Sequence, residues 1–208
     1  MKTVITISRQ MGSGGAYIGQ VIATRLGLKY VDREVLHLAA QEFGCDTETV
    51  EARAERISSF WSRIISGLTF GPPDGPYTPP PLRDFSDREL FEKQIEIVKK
   101  IADAHDCVVI GWPGLYLPRE PRRFSIFCHA PPGFRVRRLV ALGYAPNVDE
   151  ARRMIQESDE MRKRYHATMS GQDWACAENY HLTIDTSLLP LDELAMMMID
   201  LLRRRQMV

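Results

Sequence analysis

The stretch Ile5-Thr-Ile-Ser-Arg-Gln-Met-Gly-Ser-Gly-Gly15 decides the fold of this chain. Residues 4–7 form a short β-branched run that is typical of a strand, and the turn-forming residues 8–15 follow it. From residue 16 to residue 26, apolar side chains recur at helical spacing, and Gly27 is well placed to end that helix. The sequence therefore predicts a strand, a glycine-rich turn and a helix in succession.

This strand–loop–helix unit has the features of an anion site. Glycines allow successive backbone N–H groups to converge on an anion, and the helix N-terminus adds a partial positive charge. We therefore predict that the amides of Gly12, Ser13, Gly14 and Gly15 form a phosphate cradle. The alternative is a tight strand-to-helix turn in which glycine serves geometry only.

The loop departs from the usual phosphate-loop pattern G-x-x-x-x-G-K-[ST]. When that pattern is laid on the sequence, Arg9 takes the place of the first glycine, Gly15 takes the lysine position and Ala16 takes the hydroxyl position. The phosphate-binding lysine and the Mg²⁺-binding hydroxyl are therefore both missing. The hydroxyls of the loop are those of Ser8 and Ser13.

The rest of the chain alternates short apolar runs with segments of helical periodicity. Strands are predicted at 28–31, 107–110, 124–128 and 181–184, and helices at 33–43, 46–68, 85–104, 131–142, 149–169 and 190–205. Such alternation predicts a parallel sheet with helices on both faces, in one domain. The segment 71–81 is so rich in proline and glycine that helix and central strand are excluded there.

Composition narrows the class of protein. Lys+Arg and Asp+Glu balance at 27 each, so no overall field favours nucleic acid or an anionic membrane. No apolar run is long enough to span a bilayer, and the N-terminus does not resemble a signal sequence. The 4 cysteines are scattered without a CxxC pair, and the 5 histidines show no ligand spacing. We expect a reduced, cytoplasmic protein without a protein-bound metal site.

Several motifs arrive in an order that resembles one family. After the glycine-rich loop come Tyr30-Val-Asp-Arg-Glu-Val-Leu36, Val108-Val-Ile-Gly111, and the segments 159–165, 171–174 and 180–187. This series resembles the cytidylate kinase-like family, relatives of bacterial cytidylate kinase whose loop reads S-R-Q-x-G-S-G-G without the lysine. The resemblance covers nearly the whole chain except for the proline-rich segment.

The resemblance implies a P-loop nucleotide kinase fold, a three-layer α/β/α domain with a parallel five-stranded sheet. Its core would comprise residues 1–32, 105–130 and 180–208. A helical insertion that binds the nucleoside monophosphate would span about 33–104, and lid helices about 131–170. ATP with Mg²⁺ would be the donor, and the acceptor would be a nucleoside monophosphate such as CMP or a similar small molecule.

The resemblance also assigns residues. By position, the loop from Gly12 to Gly15 would cradle the donor phosphates, and Thr186 would border the adenine pocket. Asp32 would lie near the acceptor, although an Asp directly before a helix is equally well explained as an N-cap.

Phosphoryl transfer requires several cations near the γ-phosphate, and without the loop lysine arginines must supply them. The candidates are Arg9, Arg135, Arg138, Arg162 and Arg164, with Arg137 as a neighbour. Arginine suits this role because its planar fork grips phosphate and keeps its charge. Asp159 stands three residues before Arg162, a spacing at which it could orient that guanidinium. The alternative is that these residues form ordinary ion pairs on a solvated helix.

One departure concerns the acceptor. In cytidylate kinase the strand matching residues 108–110 is followed by Gly-Arg-Asp, whereas this chain has Gly111-Trp-Pro113. Three hypotheses therefore stay open: a kinase, a nucleotide-binding protein with weak or no catalysis that acts as a sensor or regulator, and an interaction module that dimerises.

Overall fold

A computed structural model describes residues 2–31, 86–111, 116–117 and 122–208 of the chain. In chain order the elements are β1 (Val4–Arg9), α1 (Gly15–Leu26), β2 (Lys29–Val31), α2 (Ser86–Ala104), β3 (Cys107–Ile110), β4 (Arg123–His129), α3 (Pro132–Ala141), α4 (Val148–Ser170), β5 (Leu182–Asp185) and α5 (Leu191–Arg204). A short 3₁₀ helix, Ala177–Asn179, precedes β5. The predicted helices at 33–43 and 46–68, the proline-rich segment 71–81 and Asp32 lie outside the described residues.

The five strands form one sheet in the order β2-β3-β1-β4-β5, and every pair is parallel. Ile5 lies between Val108 of β3 and Phe124 of β4 in the register. Because β1 is central, the loop after it opens at the carboxyl edge of the sheet with a strand on either side. The predicted parallel five-stranded sheet is confirmed.

Helices cover both faces of the sheet. One face packs on α1 and α5 in a buried core that includes Ile5, Ile18 and Ile199. On the other face, Val4 and Val109 pack with residues of α2. The sequence therefore folds into three layers, because its strands are apolar on both sides.

Helices α3 and α4 form an antiparallel hairpin at the same edge of the sheet as the glycine-rich loop. Leu139, Ala151 and Ile155 are buried between them, and Met11 of the loop joins this cluster. Asn147 caps α4, since its side chain accepts a hydrogen bond of 2.9 Å from the amide of Glu150. The hairpin is thus packed directly against the loop.

Among the described helices, none combines the length and the apolar character that a bilayer crossing requires. The longest, α4, has 23 residues and carries charged side chains throughout. The division of the chain into core, insertion and lid stays a prediction.

Candidate phosphate-binding site

The glycine-rich loop leaves β1 at Arg9 and enters α1 at Gly15. Gly12 and Gly14 have φ of 77° and 83°, in the left-handed region that favours glycine. A Cβ at Gly12 would lie 2.9 Å from the carbonyl oxygen of Arg135, and one at Gly14 would lie 2.5 Å from Cδ1 of Leu191. Both positions favour glycine for conformation, and Gly12 also requires it for space, because its neighbour is a backbone carbonyl.

The lysine position of the loop is closed. A Cβ built at Gly15 would lie 2.7 Å from Cβ of Arg9 and 2.9 Å from Cβ of Cys128. Both neighbours are the first atoms of side chains on adjacent strands, so neither can swing away without moving the backbone. The missing lysine is therefore part of the packing of this chain, because no side chain fits at Gly15.

Hydrogen bonds within and around the loop fix its shape. The amide of Gln10 donates to the carbonyl of Cys128 over 3.0 Å, and the hydroxyl of Ser13 donates to the carbonyl of Gln10 over 2.9 Å. Thr186, fully buried at the end of β5, places Oγ1 2.5 Å from the carbonyl oxygen of Ser13. The structure thus uses Ser13 and Thr186 to hold the loop, and both hydroxyls face backbone carbonyls.

Several backbone amides of this loop have no hydrogen-bond acceptor among the described residues. The backbone N–H groups of Gly12, Gly14 and Gly15 donate to no acceptor in the part of the chain that the structure describes. All three residues are buried. Buried N–H groups normally have partners, and three of them at a helix N-terminus form a site for an anion. The donor set fits a phosphate group.

The first cation beside the loop is Arg135. This residue of α3 is only 5% exposed, and its Nη1 lies 2.7 Å from Oδ2 of Asp159 on α4 and 3.4 Å from the carbonyl oxygen of Met11. Nε of Arg135 and Oδ1 of Asp159 have no hydrogen-bond partner among the described residues. The predicted pairing of Asp159 with Arg162 is wrong, because the α3–α4 hairpin brings a guanidinium from the neighbouring helix closer.

The second cation is Arg162, which is 7% exposed on α4. Its Nη1 donates to the carbonyl of Arg9 over 3.1 Å, and its guanidinium carbon lies 5.8 Å from the ring centroid of Trp174. The structure therefore brings Arg135 and Arg162 to opposite ends of the segment 9–11, where they contact backbone carbonyls.

The other three predicted arginines are placed differently. Arg138 lies over the ring of Tyr17 at 5.9 Å, and Arg9 is half-buried with a guanidinium that makes no hydrogen bond or ion pair to a described residue. Arg164 is exposed on α4 and pairs with Glu160 over 3.4 Å, so the structure does not bring it to the loop. Catalytic roles for all these residues stay predictions.

An open groove of about 960 Å³ runs between α3 and α4 beside the loop. Gln10, Arg135 and Asp159 line it, together with the aromatic wall of Trp174. Arg137 and Lys163 also line it and make no ion pair with a described residue. The groove has the size and the charged lining to take an anionic or polar small molecule next to the glycine-rich loop.

The described residues do not provide a metal site of their own. Across the described ranges, no group of three or more His, Cys, Asp or Glu side chains is positioned to hold a metal ion. Ala16 offers no ligand, and the hydroxyl of Ser13 is bonded within the loop. A Mg²⁺ ion that arrives with a nucleotide would be held mainly by phosphate oxygens and water, as Mg²⁺ commonly is.

Comparisons with known proteins bear on the fold and on the family. An uncharacterized protein from Eubacterium ventriosum ATCC 27560 has a similar structure, with a TM-score of 0.68 at 17% identity over 97% of this chain and 99% of that chain. A gluconokinase from Sinorhizobium meliloti 1021 gives a TM-score of 0.52 at 16% identity over 97% and 92% of the two chains. A shikimate kinase from Acinetobacter baumannii in complex with shikimate gives 0.50 at 15% identity over 98% and 94%.

At such identities these structures show the fold alone, and that fold is the P-loop kinase fold. The chain belongs to the cytidylate kinase-like family, whose model matches residues 4–188. A comparison with curated protein sequences gives no match. Membership of this family supports a nucleotide-dependent kinase.

The residues that pack against the loop from other elements were not predicted from the sequence. Cys128 and Leu191 restrict Gly15 and Gly14, but nothing in their local sequence distinguishes them from core residues. Trp174 contacts Arg162, and this contact depends on tertiary structure. The nearest available signal was the segment 171–174, which resembles the family.

Proposed function

We propose that this protein is an ATP-dependent kinase that transfers the γ-phosphate to a nucleoside monophosphate such as CMP, or to a similar small acceptor. The observation that carries the proposal is the set of three buried backbone N–H groups of Gly12, Gly14 and Gly15 that donate to no described acceptor. They lie at the N-terminus of α1, beside two buried arginines.

The loop would hold the donor by its phosphates. Amides of Gly12, Gly14 and Gly15 would donate to phosphate oxygens, and the N-terminus of α1 would add its partial positive charge. A Mg²⁺ ion bound with ATP would neutralise phosphate charge. In the absence of a loop lysine, side chains outside the loop must supply the remaining positive charge.

Arg135 and Arg162 are the residues best placed to supply it. Both are buried and held against carbonyls of the segment 9–11. Fixed guanidinium groups stabilise charge that develops on the transferred phosphoryl group, because they need little reorganisation during the reaction. Arg9 and Arg138 are less buried and would complete the set.

The acceptor would enter through the groove between α3 and α4. Arg137 and Lys163 give this groove a cationic lining, which suits a phosphate or carboxylate. One solved relative of the fold is a shikimate kinase in complex with shikimate, so a test of acceptors should include shikimate beside nucleoside monophosphates.

Two further parts of the proposal concern location and partners. Cys107 and Cys128 are buried thiols outside any disulfide, which supports a reducing, cytoplasmic location. Burial raises the pKa of the Cys107 thiol to about 12, so it stays protonated. We propose a nucleotide and a small phosphate acceptor as the ligands, and neither nucleic acid nor a membrane.

Two observations favour a second function. Gly15 cannot carry a lysine without displacing Arg9 or Cys128, and Arg135 is already paired with Asp159. A nucleotide-binding sensor or regulator with weak or no catalysis would use the same cradle. Such a protein would not need a loop lysine, and Arg135 could stay paired with Asp159.

A coupled assay of ADP release, with a panel of monophosphates and shikimate at matched Mg²⁺, separates the alternatives. Turnover with one acceptor would support the kinase. No turnover with any acceptor, together with thermal stabilisation by ATP, would leave the binding protein. The absence of stabilisation by any nucleotide would contradict both and leave an interaction module or homodimer.

A further inference from the structure

Trp174 occupies a buried position between the sheet, helix α4 and the groove, although it lies in an irregular segment. It is 5% exposed. Its ring meets Phe127 of β4 edge-on at 5.3 Å and stacks on His166 at 6.0 Å. The guanidinium of Arg162 lies over it at 5.8 Å. The indole is therefore held from three sides, and one of its contacts is the cation beside the glycine-rich loop.

The backbone of Trp174 is anchored to the sheet as well. The hydroxyl of Tyr180 donates to its carbonyl oxygen over 2.6 Å, and the ring of Tyr180 stacks on Phe127 at 5.1 Å. Burial raises the pKa of Tyr180, so its hydroxyl remains a donor throughout the neutral range. Since Phe127 is paired in register with Ser8, this anchor reaches the strand that leads into the loop.

A second anchor fixes the helix that carries Arg162. Nδ1 of His166, one turn further along α4, lies 2.7 Å from the hydroxyl of Tyr116, which also lies 3.0 Å from Oγ of Ser170. Tyr116 belongs to the connection after β3. The C-terminal half of α4 is thus tied to the carboxyl edge of the sheet through His166, and Trp174 stacks on the same imidazole.

Arg162 by itself has a long side chain with many rotamers, and a free arginine would have to be ordered when the nucleotide binds. An aromatic face favours a guanidinium above it, and a side chain that is already ordered loses less entropy when it acts. The carbonyl of Arg9 accepts a hydrogen bond from one Nη atom, and the indole lies against the guanidinium at 5.8 Å.

We infer that Trp174 is a positioning residue: its indole holds the guanidinium of Arg162 against the carbonyl of Arg9, so that this cation is in place before phosphate enters the loop. The inference rests on the proposed function for its catalytic consequence. It assigns to Trp174 a role that acts through one named side chain, and a double-mutant cycle can test it.

The cycle comprises wild type, Trp174→Leu, Arg162→Met and the double variant, with kcat and KM for ATP measured in the ADP-release assay. We expect Trp174→Leu to lower kcat at least tenfold with a smaller change in KM, and Trp174→Phe to recover part of the loss. In the Arg162→Met background, Trp174→Leu should change kcat less than twofold. If Trp174→Leu lowers kcat by the same factor in the Arg162→Met background as in wild type, the inference is overturned.

Loss of stability alone needs its own control, because Trp174 is buried. Ile199→Ala removes side-chain volume from the core between α5 and the sheet, and the buried residues of that core include none from α4 among the described residues. If Ile199→Ala lowers the melting temperature as much as Trp174→Leu but keeps kcat within twofold, then the kcat effect is specific to Trp174. If it lowers kcat equally, a positioning role is contradicted.

A readout without turnover separates this inference from the proposed function. In a ¹H–¹⁵N spectrum of arginine side chains, the Nε–H resonance of Arg162, assigned with Arg162→Lys, should be shifted by the indole ring. Trp174→Leu should move it toward the position of a solvent-exposed arginine. A wild type without turnover would contradict the kinase, whereas an unmoved Arg162 resonance in Trp174→Leu would overturn the positioning role.

Discussion

Arg135 on α3, which is buried, and Asp159 on α4, which is half-buried, form an ion pair of 2.7 Å directly beside the glycine-rich loop, and Arg135 lies 3.4 Å from the carbonyl oxygen of Met11. This pair links the two helices of the hairpin to the loop. It also means that the charge of Arg135 is partly neutralised by Asp159. Binding of a phosphate would therefore compete with Asp159 for the same guanidinium.

Removal of Asp159 should destabilise the protein. Asp159→Ala leaves Arg135 buried without a counter-charge, and breaking buried pairs in this way costs about 3–5 kcal/mol. Since the side chain of Asp159 is 24% exposed, we expect a loss at or below the lower end of that range. Chemical denaturation followed by circular dichroism measures it.

Asp149→Ala on the same helix is the matched control, because its partner Arg152 is exposed and such pairs contribute about 0–1 kcal/mol. If the two substitutions lower the free energy of unfolding equally, the loss of the Arg135–Asp159 pair costs no more than the loss of a surface pair.

Substitution at Gly15 should fail to restore a conventional phosphate loop. Gly15→Lys introduces a Cβ that lies 2.7 Å from Cβ of Arg9, and overpacking of this kind costs about 1–3 kcal/mol. We expect a lower melting temperature and no gain in kcat for Gly15→Lys, and a lower melting temperature for Gly15→Ala as well.

Gly133→Ala is the control, since it also adds a Cβ in the first turn of a helix but meets nothing closer than 3.6 Å. It should be neutral or slightly stabilising, because alanine favours helix. A stable, faster Gly15→Lys enzyme would show that the lysine position is open.

Much of the fold followed from local sequence. The predicted strand at 107–110 and the stop at Gly27 match the structure, because continuous apolar runs and left-handed glycines are local signals. Other boundaries differ by one or two residues: the predicted helix 149–169 is Val148–Ser170. The strand order could not be read from the sequence, since it depends on which apolar faces meet in the folded chain.

Less of the candidate site than of the fold could be predicted from the sequence. The amides of Gly12 to Gly15 were predicted as a cradle; those of Gly12, Gly14 and Gly15 donate to no described acceptor, whereas the amide of Ser13 donates to the carbonyl of Gln10 over 3.3 Å. The partner of Asp159 was not foreseen, because Arg135 is 24 residues away and becomes its neighbour only through the hairpin. Spacing along one helix therefore gave the wrong partner.

Acid should destabilise the protein partly through Asp106. Its Oδ1 accepts a hydrogen bond of 2.6 Å from the amide of Thr3, and this bond, aided by Lys2 and Arg122, holds the pKa of Asp106 below its usual value of 3.8. A carboxylate with a lowered pKa stabilises the fold above its unfolded pKa, and the contribution is lost as the pH falls through the folded pKa.

We therefore expect Asp106→Asn to lose stability less steeply than wild type as the pH is lowered below about 4. Thermal unfolding at pH values from 7 to 2.5 measures this difference. Parallel curves for the two proteins over that range would mean that Asp106 does not contribute to acid unfolding.

The central claim is that backbone amides of the loop bind phosphate, and Gly14 tests it most directly. Gly14→Asp places a side chain and a negative charge in the cradle, whereas Gly27→Asp makes the same change at the other end of α1, where φ is also left-handed and no atom lies within 4 Å of the new Cβ. The measurement is titration calorimetry with ATP and Mg²⁺ on both variants and wild type, after their melting temperatures confirm that they are folded. We predict that wild type and Gly27→Asp bind ATP alike and that Gly14→Asp does not bind it; a folded Gly14→Asp protein that binds ATP as tightly as Gly27→Asp would contradict the claim.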